Sequence, residues 1–198
     1  MADDAFDPDD IPELDQPEPE PFKRAETPVA EPTFQPPAPP PSPVNWNLIT
    51  AHQAEEEWML LNGWVNWLRA TYGLPAATIP PMWHRHWELI WELSALHTHW
   101  LTCYHPTRDG SAPLLWHADF AAACARLRNW VTINGSKLDR DRPTRQTTWP
   151  GEDPVDDGDE EMIVDRDEDF VNFVVDDVQQ RAAAEAAKEA ARAAQHHS

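Results

Sequence analysis

Glycine and cysteine are scarce in this chain, at six and two of 198 residues. So few glycines leave no Gly-rich loop to cradle a phosphate, and no dinucleotide fingerprint or phosphate-loop motif is present. Cys103 and Cys124 belong to no C-x-x-C pair and no spaced framework. They read as reduced, buried, small apolar residues of a cytosolic protein. No H-E-x-x-H pair and no nucleophile elbow occurs, so neither a metal, a cofactor nor an enzymatic activity is expected. No apolar run approaches the ~18–20 residues that span a bilayer, and no membrane association is expected. The opening Met1-Ala2-Asp3-Asp4 has neither a basic nor an apolar region, so no signal peptide is expected. Basic charge is also short: 15 Lys and Arg stand against 35 Asp and Glu, a net of −20.

That charge is unevenly placed. Residues 1–43 carry a net of −9, residues 44–150 a net of zero and residues 151–198 a net of −11. Proline follows the acid, with 13 of 21 in residues 1–43. Such a stretch cannot bury enough apolar surface to offset chain entropy, so residues 1–43 are expected to be a disordered acidic arm biased toward polyproline II. Tryptophan does the reverse, because all 11 lie between Trp46 and Trp149. Each Trp buries roughly 150–250 Å², so residues 44–135 can form a helical domain with a core large for its length.

Three helices are predicted in that domain. The first spans about Leu48–Tyr72, where Trp58, Leu61, Val65, Leu68 and Tyr72 repeat at helical spacing. Thr50 and Gln53 have the form of a capping box, and Gly73 terminates the run. The second spans about Pro81–Tyr104, with Trp83, His86, Trp87, Ile90, Leu93, His97, Trp100, Leu101 and Tyr104 on one side and Glu88, Glu92 and His99 on the other. The third spans about Pro113–Val131, with Trp116, Phe120, Ala123, Leu127 and Trp130 as its stripe and Gly135 as its stop. A polar linker is expected at 136–160. The acidic, apolar segment 161–178 and the Ala-rich, strongly helix-forming residues 179–195 follow. Alanine holds a helix to a core weakly, so a projecting helix, or one that forms with a partner, is expected there. The expected fold class is therefore all-α: a Trp-rich three-helix bundle between two acidic arms.

Three aromatic signatures occur in order: Trp64-Val65-Asn66-Trp67-Leu68; Pro81-Met82-Trp83-His84-Arg85-His86, continuing to Trp100; and Trp116-His117, with Arg126-Leu127-Arg128-Asn129-Trp130. Together they resemble a family of small uncharacterised Trp-rich proteins from actinobacterial plasmids, conjugative elements and phages, over about 90 residues. In that family a Cys often precedes the motif Trp, where this chain has Met82, and a Gly-Cys stands where this chain has Gly135-Ser136. The resemblance implies a mobile-element setting and no activity.

Several groups of residues are candidates for chemistry. His86 and His97, on the apolar side of the second helix, could form a ligand-binding or pH-sensitive pair, and the plainer reading is two hydrogen-bonded core histidines. His99 and Cys103 share a helix face as two metal ligands would, but zinc needs further ligands, from His84 or His117. Glu88 and Glu92 are a carboxylate pair that reads as a solvated face, with Arg85 placed to pair with Glu88. Arg126, Arg128, Lys137, Arg140, Arg142 and Arg145 form the basic stretch that would touch nucleic acid phosphates, or fold against an acidic arm. Phe170, Phe173, Val174 and Val178 line one helical face, which would dock on a protein partner or on the chain's own bundle. The leading expectation is a non-enzymatic interaction protein that recruits a protein partner through its arms. A nucleic-acid-associated factor and an acidic mimic of nucleic acid are the alternatives.

Overall fold

A computed structural model describes residues 41–153, 155 and 158–196. The expected arm therefore lies, but for its last three residues, outside the described part of the chain. The rest is all-α, as the periodicity predicts, with one two-residue strand pair.

Helix α1 is Ala51–Tyr72. Both halves of its capping box form: Thr50 Oγ1 accepts from the Gln53 N–H, and Gln53 Oε1 accepts from the Thr50 N–H at 2.9 Å. Gly73 ends the helix at φ 61°, a left-handed conformation that an L side chain adopts rarely. The second helix, α2, is Trp87–Cys103 and begins later than predicted. Residues Trp83–Arg85 form a separate 3₁₀ turn, and His86 is extended at φ −118° and ψ 103°. The break resets the helical phase, so Trp83 is buried while Trp87 faces outward, 42% exposed. No breaker residue marks it; the buried hydrogen bonds of the His86 ring hold the extended conformation instead.

Helix α3 is Ala112–Asn134, with Pro113 in its first turn and Gly135 closing it at φ 78°. Trp116, Phe120, Ala123 and Leu127 are buried as expected, but Val131 takes the last core position and Trp130 lies outside, 38% exposed. The expected linker carries β1, Arg140–Asp141, which pairs antiparallel with β2, Glu161–Met162. The last helix, α4, is Arg166–His196 and joins what the sequence suggests as two segments. Its 31 residues span about 46 Å at ~1.5 Å per residue.

The packing is a four-helix arrangement rather than the expected three. Antiparallel α4 lies along α1, from Arg166 beside Asn62 to Glu185 beside the start of α1. Antiparallel α3 lies along α2, fastened by Arg126–Glu92 and Asn134–Glu88. Helices α1 and α2 meet through Trp58–Trp87, Trp64–His97 and Trp67–Trp100, a series that advances in the same direction on both. The chain returns between them along residues 73–86, and buried Thr78, Ile79 and Pro80 close that end of the core. No described helix is long and apolar enough to cross a membrane.

Phe170 and Val174 of α4 are 3% and 7% exposed within this core. Beyond Glu185 the described side chains of α4 are exposed, as the Ala-rich composition predicts. Phe170→Ala is therefore expected to cost about 3–5 kcal/mol in urea unfolding. Truncation after Ala187 is expected to cost less than about 0.5 kcal/mol. A Phe170→Ala variant within about 1 kcal/mol of the parent would show that α4 is not part of the core.

Candidate functional site

Two histidines flank Arg85 at the break before α2, and both are fully buried. His84 Nε2 lies 2.7 Å from Asp169 Oδ1. A carboxylate only accepts, so Nε2 carries the proton and Nδ1 holds a lone pair. That Nδ1 is buried without a partner. Protonating it would create a buried cation with an unsatisfied N–H. Desolvation accordingly lowers the His84 pKa to about 4, against the raising effect of Asp169. Burial alone would raise the Asp169 carboxyl, but hydrogen bonds from Arg85 and His84 outweigh it and hold it below the usual carboxylate range. Arg85 pairs with Asp169 and with Glu161, not with Glu88 as the spacing suggests.

His86 has a different environment. Nε2 lies 2.8 Å from Asp141 Oδ1, and Nδ1 lies 2.9 Å from Thr144 Oγ1. Thr144 also bonds Glu88 at 2.9 Å, and Asn134 donates to the same Glu88 oxygen at 3.1 Å. These four contacts tie the linker residues Asp141 and Thr144 and the end of α3 to the start of α2.

His97 does not meet His86. Its ring stacks on Trp64 at 4.9 Å, and desolvation lowers its pKa. Cys103 Sγ lies 3.6 Å from His99 Nε2 and 3.8 Å from Nδ1, so the sulfur sits against the ring rather than in line with one nitrogen. His99 Nε2 meets Asp119 at 3.0 Å. His84 is committed to Asp169 and His117 is exposed, so neither joins His99 and Cys103. Among the described residues no group of three or more His, Cys, Asp or Glu is placed to hold a metal ion. Glu88 and Glu92 lie at the α2–α3 interface rather than on a solvated face.

Four residues of the basic stretch are engaged by groups of their own chain. Arg126 makes a forked pair with Glu92, Lys137 and Arg140 reach Glu160, and Arg142 donates to the Asn134 carbonyl at the end of α3. Arg128 is exposed on α3 and Arg145 lies on the linker. The pairs at Glu160 match the reading in which this stretch folds against acid of its own chain. Phe170, Phe173, Val174 and Val178 pack on the bundle, with Phe170 and Phe173 at 6.3 and 5.4 Å from Trp58. Of the two readings offered for that face, the structure shows intramolecular packing.

Residues carrying the family signatures divide by burial. Trp64, Trp83, His86 and Trp116 are buried, Trp100 is half-buried, and Trp67, His117 and Trp130 are exposed. Trp67 of the exposed group belongs to an aromatic series that crosses from α1 to α2. Trp67 lies 5.0 Å from Trp100, and Trp100 lies 5.7 Å from Tyr104. Leu60, one turn before Trp64, and Leu101, beside Trp100, extend the strip; Leu60, Trp67 and Tyr104 are 59%, 41% and 46% exposed. Gly63 sits in the same face, with nothing within 4 Å of where a side chain would begin. At the N-terminal end of this face, burial and then Glu56 raise the Glu57 pKa, and no described residue pairs with Glu57.

Sequence reasoning missed this strip. Its signal is a second apolar run on α1, Leu60, Trp64 and Trp67, offset from the core stripe. Asp141 and Thr144 were missed because the linker has no periodicity, and Asp169 because it is one acid among many in its segment. Comparison of the chain with models of protein families, with curated proteins and with solved structures finds no match.

His84 sets a pH dependence. Its pKa is about 4 when folded and about 6.5 when exposed, so between those values the unfolded chain binds the extra proton. Its contribution is full above pH 6.5 and falls as pH drops toward 4, by about 3 kcal/mol for a shift of this size. Unfolding at pH 7 and pH 5 should show a steeper loss for the parent than for His84→Gln, which keeps a donor for Asp169. Parallel losses would contradict the assignment.

Proposed function

We propose that this chain is a non-enzymatic interaction protein, an accessory factor of a plasmid, conjugative element or phage, whose aromatic strip receives a basic, apolar segment of a partner protein. The setting rests on the resemblance of the three aromatic signatures. The mode rests on one observation: the rings of Trp67, Trp100 and Tyr104 follow one another at 5.0 and 5.7 Å, and no described residue covers Trp67, Tyr104 or the exposed Leu60 and Leu101 on the same two helices.

The chemistry of the strip selects its partner. Indole and phenol faces attract guanidinium and ammonium groups, and Glu56 and Glu57 stand at one end of the same helix face. The net charge of −20 steers a basic partner by long-range attraction and repels nucleic acid. Pairing of Arg126, Lys137 and Arg140 with their own carboxylates weakens the nucleic-acid alternative. The acids Glu160, Glu161, Asp169 and Asp177 are likewise engaged with internal donors, which weakens the mimicry alternative.

Peptides selected from a random displayed library on the full chain are expected to carry Arg or Lys beside apolar residues. Leu60→Glu and Trp67→Ser should each reduce their retention about tenfold or more. Both positions are exposed, so helicity by circular dichroism should not change. Enrichment of acidic peptides, or equal retention by both variants, would contradict the proposal.

A further inference from the structure

Helix α1 is apolar on more sides than the fold covers. From Trp58 to Ala70 its only polar or charged residues are Asn62, Asn66 and Arg69. A helix apolar all round is ordinarily buried all round. Here Trp58, Leu61, Trp64, Val65 and Leu68 enter the core, while Met59 is 58% exposed and Leu60, Gly63, Trp67 and Ala70 are exposed with it. Leu60, Gly63, Trp67 and Ala70 follow one another at steps of three, four and three, so they form one seam along the helix. Large side chains alternate along it with none or a small one.

Gly63 lies near the middle of this seam, and nothing in the fold requires it. Its φ is not positive, and a Cβ there would meet nothing within 4 Å. Alanine would fit and would favour the helix, because glycine is among the poorest helix formers. The missing side chain leaves a notch on the surface between Leu60 and Trp67. Two helices approach as closely as the side chains at their contact allow, and a large side chain of one seats in such a hole of the other. The chemistry of an occupant follows from the same face. The backbone of α1 is bonded within the helix and offers no strand edge to an extended chain, whereas a helix arrives with its own backbone groups satisfied. Glu56 stands two turns before Gly63 on this face, and its exposed contact with His52 at 3.8 Å is open to displacement by a partner's cation. The net charge of −20 favours a basic segment over a second copy of this chain.

We propose, on the reading above that a basic, apolar partner segment docks here, that this segment is an amphipathic α-helix which lies along α1 and seats a large apolar side chain at Gly63. Its apolar residues recur at steps of three and four to match the seam, and its Lys or Arg residues reach Glu56.

Two fluorescein-labelled, three-heptad peptides of identical Leu, Lys and Ala content serve as probes. One carries Leu at the first and fourth position of each heptad, and the other has the same residues shuffled so that its leucines share no helical face. In anisotropy titrations of the full chain the first should bind about tenfold more tightly than the second. Gly63→Gln should weaken its binding about tenfold while raising the urea midpoint of unfolding, because glutamine is the better helix former. Gly63→Ala should also raise the midpoint and should weaken binding less. Stability and binding moving in opposite directions separates a contact surface from a structural glycine. Equal binding of the two peptides, or unchanged binding by Gly63→Gln while Leu60→Glu and Trp67→Ser still weaken it, would overturn the helix and leave the partner reading in place. Unchanged binding by all three variants would overturn both. A chain that sediments as a dimer without peptide, and as a monomer with Gly63→Gln, would give the seam to a second copy and overturn the proposal.

Discussion

Trp58 is the contact on which the architecture turns. Its ring lies 4.4 Å from Trp46, 6.3 Å from Trp83, 6.2 Å from Trp87 and 5.4 Å from Phe173. Its indole N–H donates to Asp177 at 2.9 Å. One fully buried side chain thus touches the turn before α1, the 3₁₀ turn, the start of α2 and the middle of α4. Aromatic rings prefer tilted and edge contacts to face-to-face stacking, and the 42–86° angles around Trp58 follow that preference. The polar contact fixes the register of α4, because Asp177 also accepts from Arg181, which donates to the carbonyls of Trp46 and Ile49.

Those contacts change the meaning of the charge pattern. By composition the acid belongs to the arms and the centre is neutral. In the fold, acid from the C-terminal segment is drawn onto the centre. Asp169 meets His84 and Arg85, Glu161 meets Arg85, Glu160 meets Lys137 and Arg140, and Glu185 accepts the first N–H of α1 at 2.9 Å. The partly exposed pairs add little stability each. Together with the buried His86–Asp141 contact, they determine where the linker and α4 lie. Polar groups here specify position, while indole and aliphatic burial supplies the stability.

What the sequence made legible follows from its periodicity. Trp58, Leu61, Val65 and Leu68 repeat without interruption, and Thr50, Gln53 and Gly73 bound the run, so α1 was readable to its last residue and to within three residues of its start. Four core positions of α3, Trp116, Phe120, Ala123 and Leu127, were readable for the same reason. The break at His86 was not, because Trp83, His86, Trp87 and Ile90 happen to continue a helical spacing that tertiary hydrogen bonds interrupt. The place of α4 was left between two readings, because Phe170, Val174 and Val178 are equally an apolar face for a partner or for α1. Trp46, a major core residue, precedes the first periodic run and had no pattern to reveal it. The aromatic strip was hidden by abundance: where tryptophans are many, the stripe that stays outside looks like the one that goes in.

The central claim is that α4 through Glu185 belongs to one cooperative core centred on Trp58, and native-state amide hydrogen exchange tests it most directly. The account predicts that amides in the stretch from Phe170 to Arg181 exchange at the free energy of global unfolding, like those of Leu61 to Leu68, while amides beyond Ala187 exchange through local fraying. Uniformly fast exchange along the whole of α4, with α1 still protected, would contradict it.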